Sequence, residues 1–226
     1  MGSFKHATVV SGDALWRMGP MLEGAASQFL RQEVAEWHLL KALRGFWEMG
    51  EMKGLLRFSA TPESELEAQR VLFSILIDSG AVTRKQVYQF MSRAILAQED
   101  GFIHAVLGIE QLNGHPVFLS TAAGGSAAIS ARSNLLPKSM LNTTSNKEVY
   151  TDGILTGFQT PIATGEEKLA ATEEMLGKHG FTIGDCQVIG FSTLDIPLLK
   201  ASRKPIAAPW ADPEVRSLRR VMDTNR

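Results

Sequence analysis

The spacing of apolar positions changes character along the chain, and each change marks an element. Ala7-Thr8-Val9-Val10 is a short, largely β-branched run that stops at Ser11-Gly12-Asp13, the pattern of a buried strand entering a turn. From about residue 21 to about residue 100 the apolar positions fall three and four apart, as in Phe29, Val34, Trp37 and Leu40, then Leu43, Phe46 and Trp47, which predicts helices throughout. Thr61-Pro62-Glu63 places a cap residue before a first-turn proline, and Thr83 with Gln86 forms a capping box. Gly80 and Gly101 punctuate helix ends. Beyond Gly101 helices and strands alternate. The order is a helix through Ile109, a strand Pro116–Ser120, a hairpin around Val149–Gly157 turning at Asp152-Gly153, and a helix Glu166–His179. A strand Gln187–Gly190, a helix opening near Asp195-Ile196-Pro197, a strand Pro205–Ala208 and a last helix opened by Asp212-Pro213 follow.

Strands separated by helices predict an α/β fold with a doubly wound, mainly parallel sheet and right-handed crossovers. Residues 1–20 and 101–226 form the predicted core, and residues 21–100 an inserted all-helical cap. A formal net charge of -1 offers no electrostatic reason to expect a nucleic acid or an anionic membrane as partner. A lone Cys186 excludes an internal disulfide and reads as a packed thiol. With no leader pattern and no apolar run of spanning length, cytoplasmic residence is expected. His6, His38, His104, His115 and His179 lack metal-ligand spacing, so no zinc site is expected. The helical block, with Trp37, Phe46, Trp47, Met49, Met52, Leu55, Leu56 and Phe58, carries more apolar surface than a cap over a small polar substrate needs. Most of it is expected in the core, and the surplus suits an apolar cavity, a protein partner or a homodimer.

Four segments in one order carry a resemblance. Gly114-His115-Pro116-Val117-Phe118-Leu119-Ser120 ends a strand on a hydroxyl, and Asp152-Gly153-Ile154-Leu155-Thr156-Gly157 makes a hairpin. Gly165-Glu166-Glu167-Lys168 brings a lysine to a helix start, and Gly190-Phe191-Ser192-Thr193-Leu194-Asp195-Ile196-Pro197-Leu198-Leu199 forms a loop with one acid. Together they resemble the phosphoserine-phosphatase-like branch of the haloacid dehalogenase (HAD) superfamily, which places a helical cap directly after the first strand. The resemblance implies a Rossmann-like core, a hydroxyl and a lysine that hold a phosphate, and a loop that binds Mg²⁺.

The acids that such phosphatases use are the part that is missing. The family's first motif has two aspartates one residue apart after the first strand, the nucleophile and the general acid/base. Without a gap after Val10, Ser11 takes the nucleophile position and Asp13 the acid/base position; aligned on Ala14-Leu15-Trp16, Val10 and Gly12 take them and both acids are gone. In the fourth motif Phe191 stands where an acid is expected, and Asp195 remains. Losing anionic ligands removes much of the attraction for a hard, oxygen-seeking ion, so Mg²⁺ binding is expected to be weak or absent, and no other cofactor is implied.

Ser11 and Asp13 are therefore the candidate catalytic residues, although no base beside Ser11 is evident and Asp13 equally suits a turn cap. Ser120, Thr121, Lys168, Phe191 and Asp195 are the candidate ligand-binding residues. A cation in a helix's first turn opposes the macrodipole, so Lys168 behind the Thr164/Glu167 capping box predicts an anion site, or else a solvated lysine neutralised by Glu166 and Glu167. Ser120 holds an anion or caps its loop, and Asp195 serves the site or caps the following helix. The expectation is a pseudophosphatase: a degenerate, metal-independent enzyme or binding module whose cleft holds a small organic anion with an apolar body. The competing expectation is an Mg²⁺-dependent phosphomonoesterase using Asp13 in a displaced first motif, with Asp195 helping to hold the metal.

Overall fold

The computed structural model describes residues 6–12, 18–35, 47, 48, 50, 54, 61–80, 82–96, 114–134, 143–208 and 211–224. β1 (Ala7–Ser11) is buried along its whole length. It lies between two parallel neighbours, β2 (Val117–Gly124) and β5 (Cys186–Gly190), with Val9 opposite Phe118 on one side and Val188 on the other. A strand covered on both faces gains nothing from a polar face, which is why Thr8 and Ser11 are small and buried and the rest of the strand is apolar. β3 (Thr143–Thr151), β4 (Ile154–Gln159) and β6 (Lys204–Ala207) complete a sheet of order β4-β3-β2-β1-β5-β6 among the described residues. Among the described strand pairs only β3–β4 is antiparallel. The chain winds outward from β1 through β2 and β3 in one direction and through β5 and β6 in the other. The end of β1 is thus the topological switch point, where open α/β sheets form a crevice.

Helices α1 (Met18–Ala35), α2 (Pro62–Asp78) and α3 (Arg84–Leu96) come between β1 and β2. Thr61 caps α2 before its first-turn proline, as the sequence predicts, and Ser64 completes a reciprocal capping box with it; Thr83 and Gln86 form the predicted box of α3. Phe29 of α1 meets Phe90 of α3 edge-on at 6.1 Å. The helices are fastened to the β3–β4 hairpin as well as to one another. Leu155 N–H donates to the Val82 carbonyl at 2.9 Å, Arg84 N–H to the Gly153 carbonyl at 3.0 Å, and Phe73 of α2 stacks on Phe158 at 4.0 Å. The hairpin turns at Asp152 (φ 50°) and Gly153 (φ 81°), the pair of left-handed residues that a two-residue turn requires.

α4 (Gly125–Asn134) follows β2 and packs on α3, while α5 (Gly165–Gly177) covers the sheet next to α6 (Ile196–Ala201); α7 (Pro213–Thr224) ends the described chain.

The structure corrects the sequence reading in three places. β2 does not stop at Ser120 but continues to Gly124, all eight residues buried, because β3 keeps pairing with it out to Gly124 opposite Asn146. α1 starts at Met18, three residues ahead of where the helical periodicity begins in the sequence, and the proline at position 20 falls in its first turn, where it is tolerated. Trp47, read with the apolar core of the helical block, is 75% exposed. The other residues of that apolar group, and the helix through Ile109, lie outside the described residues.

Candidate functional site at the carboxyl ends of the strands

Three side chains from distant parts of the sequence meet beyond β1. α5 begins where Thr164 Oγ1 accepts from Glu167 N–H, while Glu167 Oε2 accepts from the N–H groups of Thr164 and Ala163, both at 2.9 Å. That capping box fixes the helix start, and Lys168 follows one turn in, on the buried face with Thr172, Met175 and Leu176. Gly165 lets this turn press against the start of α6: a Cβ there would lie 2.9 Å from the Pro197 ring and 3.0 Å from the Leu194 carbonyl. Lys168 Nζ is consequently delivered to Asp195 Oδ1 at 2.6 Å and to Ser11 Oγ at 3.0 Å. Lys168 and Asp195 are wholly buried and Ser11 is 1% exposed.

The second carboxylate oxygen of Asp195 turns back along the chain. It accepts from Phe191 N–H at 2.8 Å and Ser192 N–H at 3.1 Å, around a 3₁₀ turn at Thr193–Asp195. Gly190 is needed beneath it, since a Cβ there would meet the Asp195 Cβ at 2.9 Å. Two sequence readings are corrected here. Lys168 is not a solvated lysine neutralised by Glu166 and Glu167, because the tight Gly165 contact turns it inward. The Asp195 side chain does not cap the helix that follows it, because its oxygens are taken by Lys168 and by the preceding loop.

Ser120, read as a strand-end hydroxyl, lies beside Ser11, in register with it on the neighbouring strand. Its Oγ is 2.8 Å from Thr172 Oγ1, Thr144 Oγ1 donates to it at 3.4 Å, and Thr172 Oγ1 donates to the Lys168 carbonyl at 2.7 Å. This row of hydroxyls holds the turn that carries Lys168. Thr121 Oγ1 accepts from Ala123 N–H within its own strand at 3.0 Å. Phe191 is half-buried and packs on the main apolar core. Asp13 lies outside the described residues. The structure therefore brings Ser11, Lys168 and Asp195 together, with Phe191 contributing backbone and Ser120 next to Ser11 on the neighbouring strand. Cys186 is buried, its thiol pushed up to about 12 by burial and then by Asp185.

A second carboxylate, absent from the sequence reading, occupies the end of β2. Glu148 of β3 takes the N–H of Ser126, at the start of α4, on both oxygens at 2.9 and 3.0 Å, and the Ser126 hydroxyl donates to it at 3.1 Å. A Cβ on Gly124 would come within 2.5 Å of Glu148 Oε1, so this approach needs a glycine. Burial raises the Glu148 carboxyl above its usual range, while the Ser126 N–H, the Ser126 hydroxyl and Arg84 pull it back. Arg84 lies 4.6 Å over the Tyr150 ring, and burial followed by Glu148 pushes the Tyr150 phenol up to about 12. The only hint in sequence was Gly124-Gly125-Ser126 between a strand and a helix, which says nothing of an acid more than twenty residues later.

The described residues do not fit Mg²⁺. A hard cation needs several free oxygens in near-octahedral array. Ser11 offers a hydroxyl already bonded to an ammonium, Phe191 offers no side-chain oxygen, and both Asp195 oxygens are engaged. Among the described residues no three His, Cys, Asp or Glu side chains cluster as metal ligands.

Solved structures share this arrangement of strands and helices. A phosphoserine phosphatase in a substrate-bound complex superposes with a TM-score of 0.64 at 14% identity, covering 99% of each chain. The fold is that of the haloacid dehalogenase superfamily, phosphoserine-phosphatase-like. A protein with unknown function from Bordetella pertussis Tohama I is similar at a TM-score of 0.73, with 18% identity over 98% of this chain and 97% of that one. A HAD family hydrolase from Salmonella enterica serovar Typhi gives 0.59 at 15% identity, over 94% of this chain and 65% of that one. No family model and no curated protein matches the sequence. Among the described residues no helix is long and apolar enough to cross a membrane.

Proposed function

We propose that this chain has given up phosphoryl transfer and works as a metal-independent binding module on a phosphatase fold. The observation that carries the reading is the engagement of Lys168 by Asp195 and Ser11 in a fully buried cluster. A lysine whose proton is held by a carboxylate is a poor base for a neighbouring serine, so Ser11 gains a hydrogen bond but not an activated oxygen. Four groups at this edge of the sheet that would attract a phosphate are already met by the chain's own acids. Asp195 takes the lysine and the N–H groups of Phe191 and Ser192, and Glu148 takes the Ser126 N–H at the α4 start. Opposite charges that cancel internally leave this crevice little field for a dianion. A small organic anion remains the ligand class we favour, held elsewhere than on Lys168.

The test is turnover of p-nitrophenyl phosphate by the purified full chain with millimolar Mg²⁺, alongside its melting temperature with and without the ion. No turnover above a heat-inactivated control and no Mg²⁺-dependent shift are expected. Turnover that disappears in Asp13→Asn would replace this reading with that of an Mg²⁺-dependent phosphomonoesterase.

A further inference from the structure

A cleft of about 430 Å³ lies on the flank of the sheet, between β3 and α5, and Ser11 is not among its lining residues. Its size falls in the range of clefts that take small organic molecules. Among the described residues its apolar part comes from Pro161, Ile162, Ala171 and Met175, and its charges are Lys147, Lys178 and Glu174. Ile162 and Met175 are buried at 2% and 5% exposure, so they form a floor and not a rim.

One wall is fixed in advance. Buried Asn146 donates from Nδ2 to the Ala122 carbonyl at 2.6 Å and the Ile162 carbonyl at 3.2 Å, while its Oδ1 accepts from Ile162 N–H at 2.9 Å. This amide clamps the chain between β4 and α5 against the sheet where β4 has ended, since the β3–β4 ladder starts only at Lys147 opposite Gln159. Thr144 and Ser145 line the cleft on this stretch of β3, where no described strand pairs on the outer side. Shape is therefore present before any ligand arrives, which lowers the ordering cost of binding.

Charge selects the occupant. Lys178 and Glu174 pair with each other at 2.7 Å, one turn apart on α5, and Lys178 holds the Glu174 carboxyl below its usual range. Lys147 is exposed on β3, close enough to act on Glu174, and makes no ion pair of its own among the described residues. Two cations against one carboxylate leave a net positive rim over an apolar floor.

We infer that this cleft binds a small organic monoanion with a compact apolar body, the carboxylate meeting Lys147 and the body resting on Ile162 and Met175. The inference takes its ligand class from the proposed function but does not depend on the loss of phosphatase activity.

The test is an NMR titration of the ¹⁵N-labelled full chain at low ionic strength with indole-3-acetate, and with indole-3-acetamide as the uncharged twin. Saturable shifts are expected on the amides of Ser145, Lys147, Ala171 and Met175, with the acid bound roughly three- to five-fold tighter than the amide. Lys147→Met should erase that preference, and Glu174→Gln should tighten the acid by about three-fold while leaving the amide unchanged. Both substitutions are at exposed positions, so the fold is kept. No saturable shift up to the solubility limit, shifts that map elsewhere, or equal affinity for acid and amide each overturn the assignment. Phosphomonoester turnover is measured separately, so a failure of this cleft and a failure of the proposed function are told apart.

Discussion

A fully buried carboxylate and a partly buried one sit at the carboxyl edge of the same sheet and are satisfied in different ways. Asp195 faces a full cation, with Lys168 Nζ at 2.6 Å, and uses its other oxygen on two backbone N–H groups. Glu148 faces dipoles, the Ser126 N–H and hydroxyl, with the Arg84 charge acting only as the weakest influence on it. A buried ion pair is costly to break, because removing one partner strands the other in a medium that cannot solvate it. A carboxyl held by dipoles can instead take up a proton and stay buried as an acid. The first site behaves as a fixed structural unit, and the second as one that titrates.

The largest effect expected from this contrast is at Lys168. Lys168→Met leaves Asp195 buried without its cation and should cost about 3–5 kcal/mol in urea unfolding. Lys168→Met with Asp195→Asn removes both charges while keeping an oxygen for Phe191 and Ser192, and should recover the larger part of that loss. A double variant as unstable as the sum of the single ones would mean that the two residues contribute independently.

A smaller effect is expected from the contact that delivers Lys168. Gly165→Ala sets a methyl within about 3 Å of the Pro197 ring and the Leu194 carbonyl, with the backbone oxygen unable to yield as a side chain would. A loss of about 1–3 kcal/mol is expected by thermal or urea unfolding. Wild-type stability in this variant would show that α5 can shift without disturbing the pair.

The smallest effect belongs to Glu148. Its folded carboxyl titrates above the unfolded value of 4.5, so between those two points the native state binds the extra proton. Stability from this group therefore falls as pH rises through that window and is level above it, the reverse of a salt-bridged acid. Glu148→Gln should change stability at pH 7 by less than about 1 kcal/mol and flatten that part of the profile. A variant whose stability still falls across the window would assign the slope to another group.

Much of the fold was legible in local signals. Thr61, Thr83 and Thr164 announce three helices because a capping hydroxyl acts on N–H groups two or three residues away. Asp152-Gly153 announces the hairpin because few residue pairs tolerate two positive φ angles. The site was legible only in its cast: Ser11, Lys168 and Asp195 could be singled out, but not the bonds among them. The end of β2 was misread at Ser120 because the length of that strand depends on pairing with β3, which no local pattern shows. Glu148 was missed because an acid on a half-exposed strand looks like any other until the Gly124 backbone is found against it.

By itself, then, the sequence determined most of the strands and helices, and the starts of those helices that carry a capping threonine, since these follow from residues near one another in the chain. Only the tertiary structure decided what became of the residues that were left. Lys168 meets Ser11 across 157 positions and Asp195 across 27, and whether it faces solvent or a carboxylate depends on how closely α5 approaches α6. That approach is set by packing around Gly165, and the pairing of charges follows from it: in a buried, weakly polarisable site a cation is stable only beside its counter-charge, and the fold supplies one.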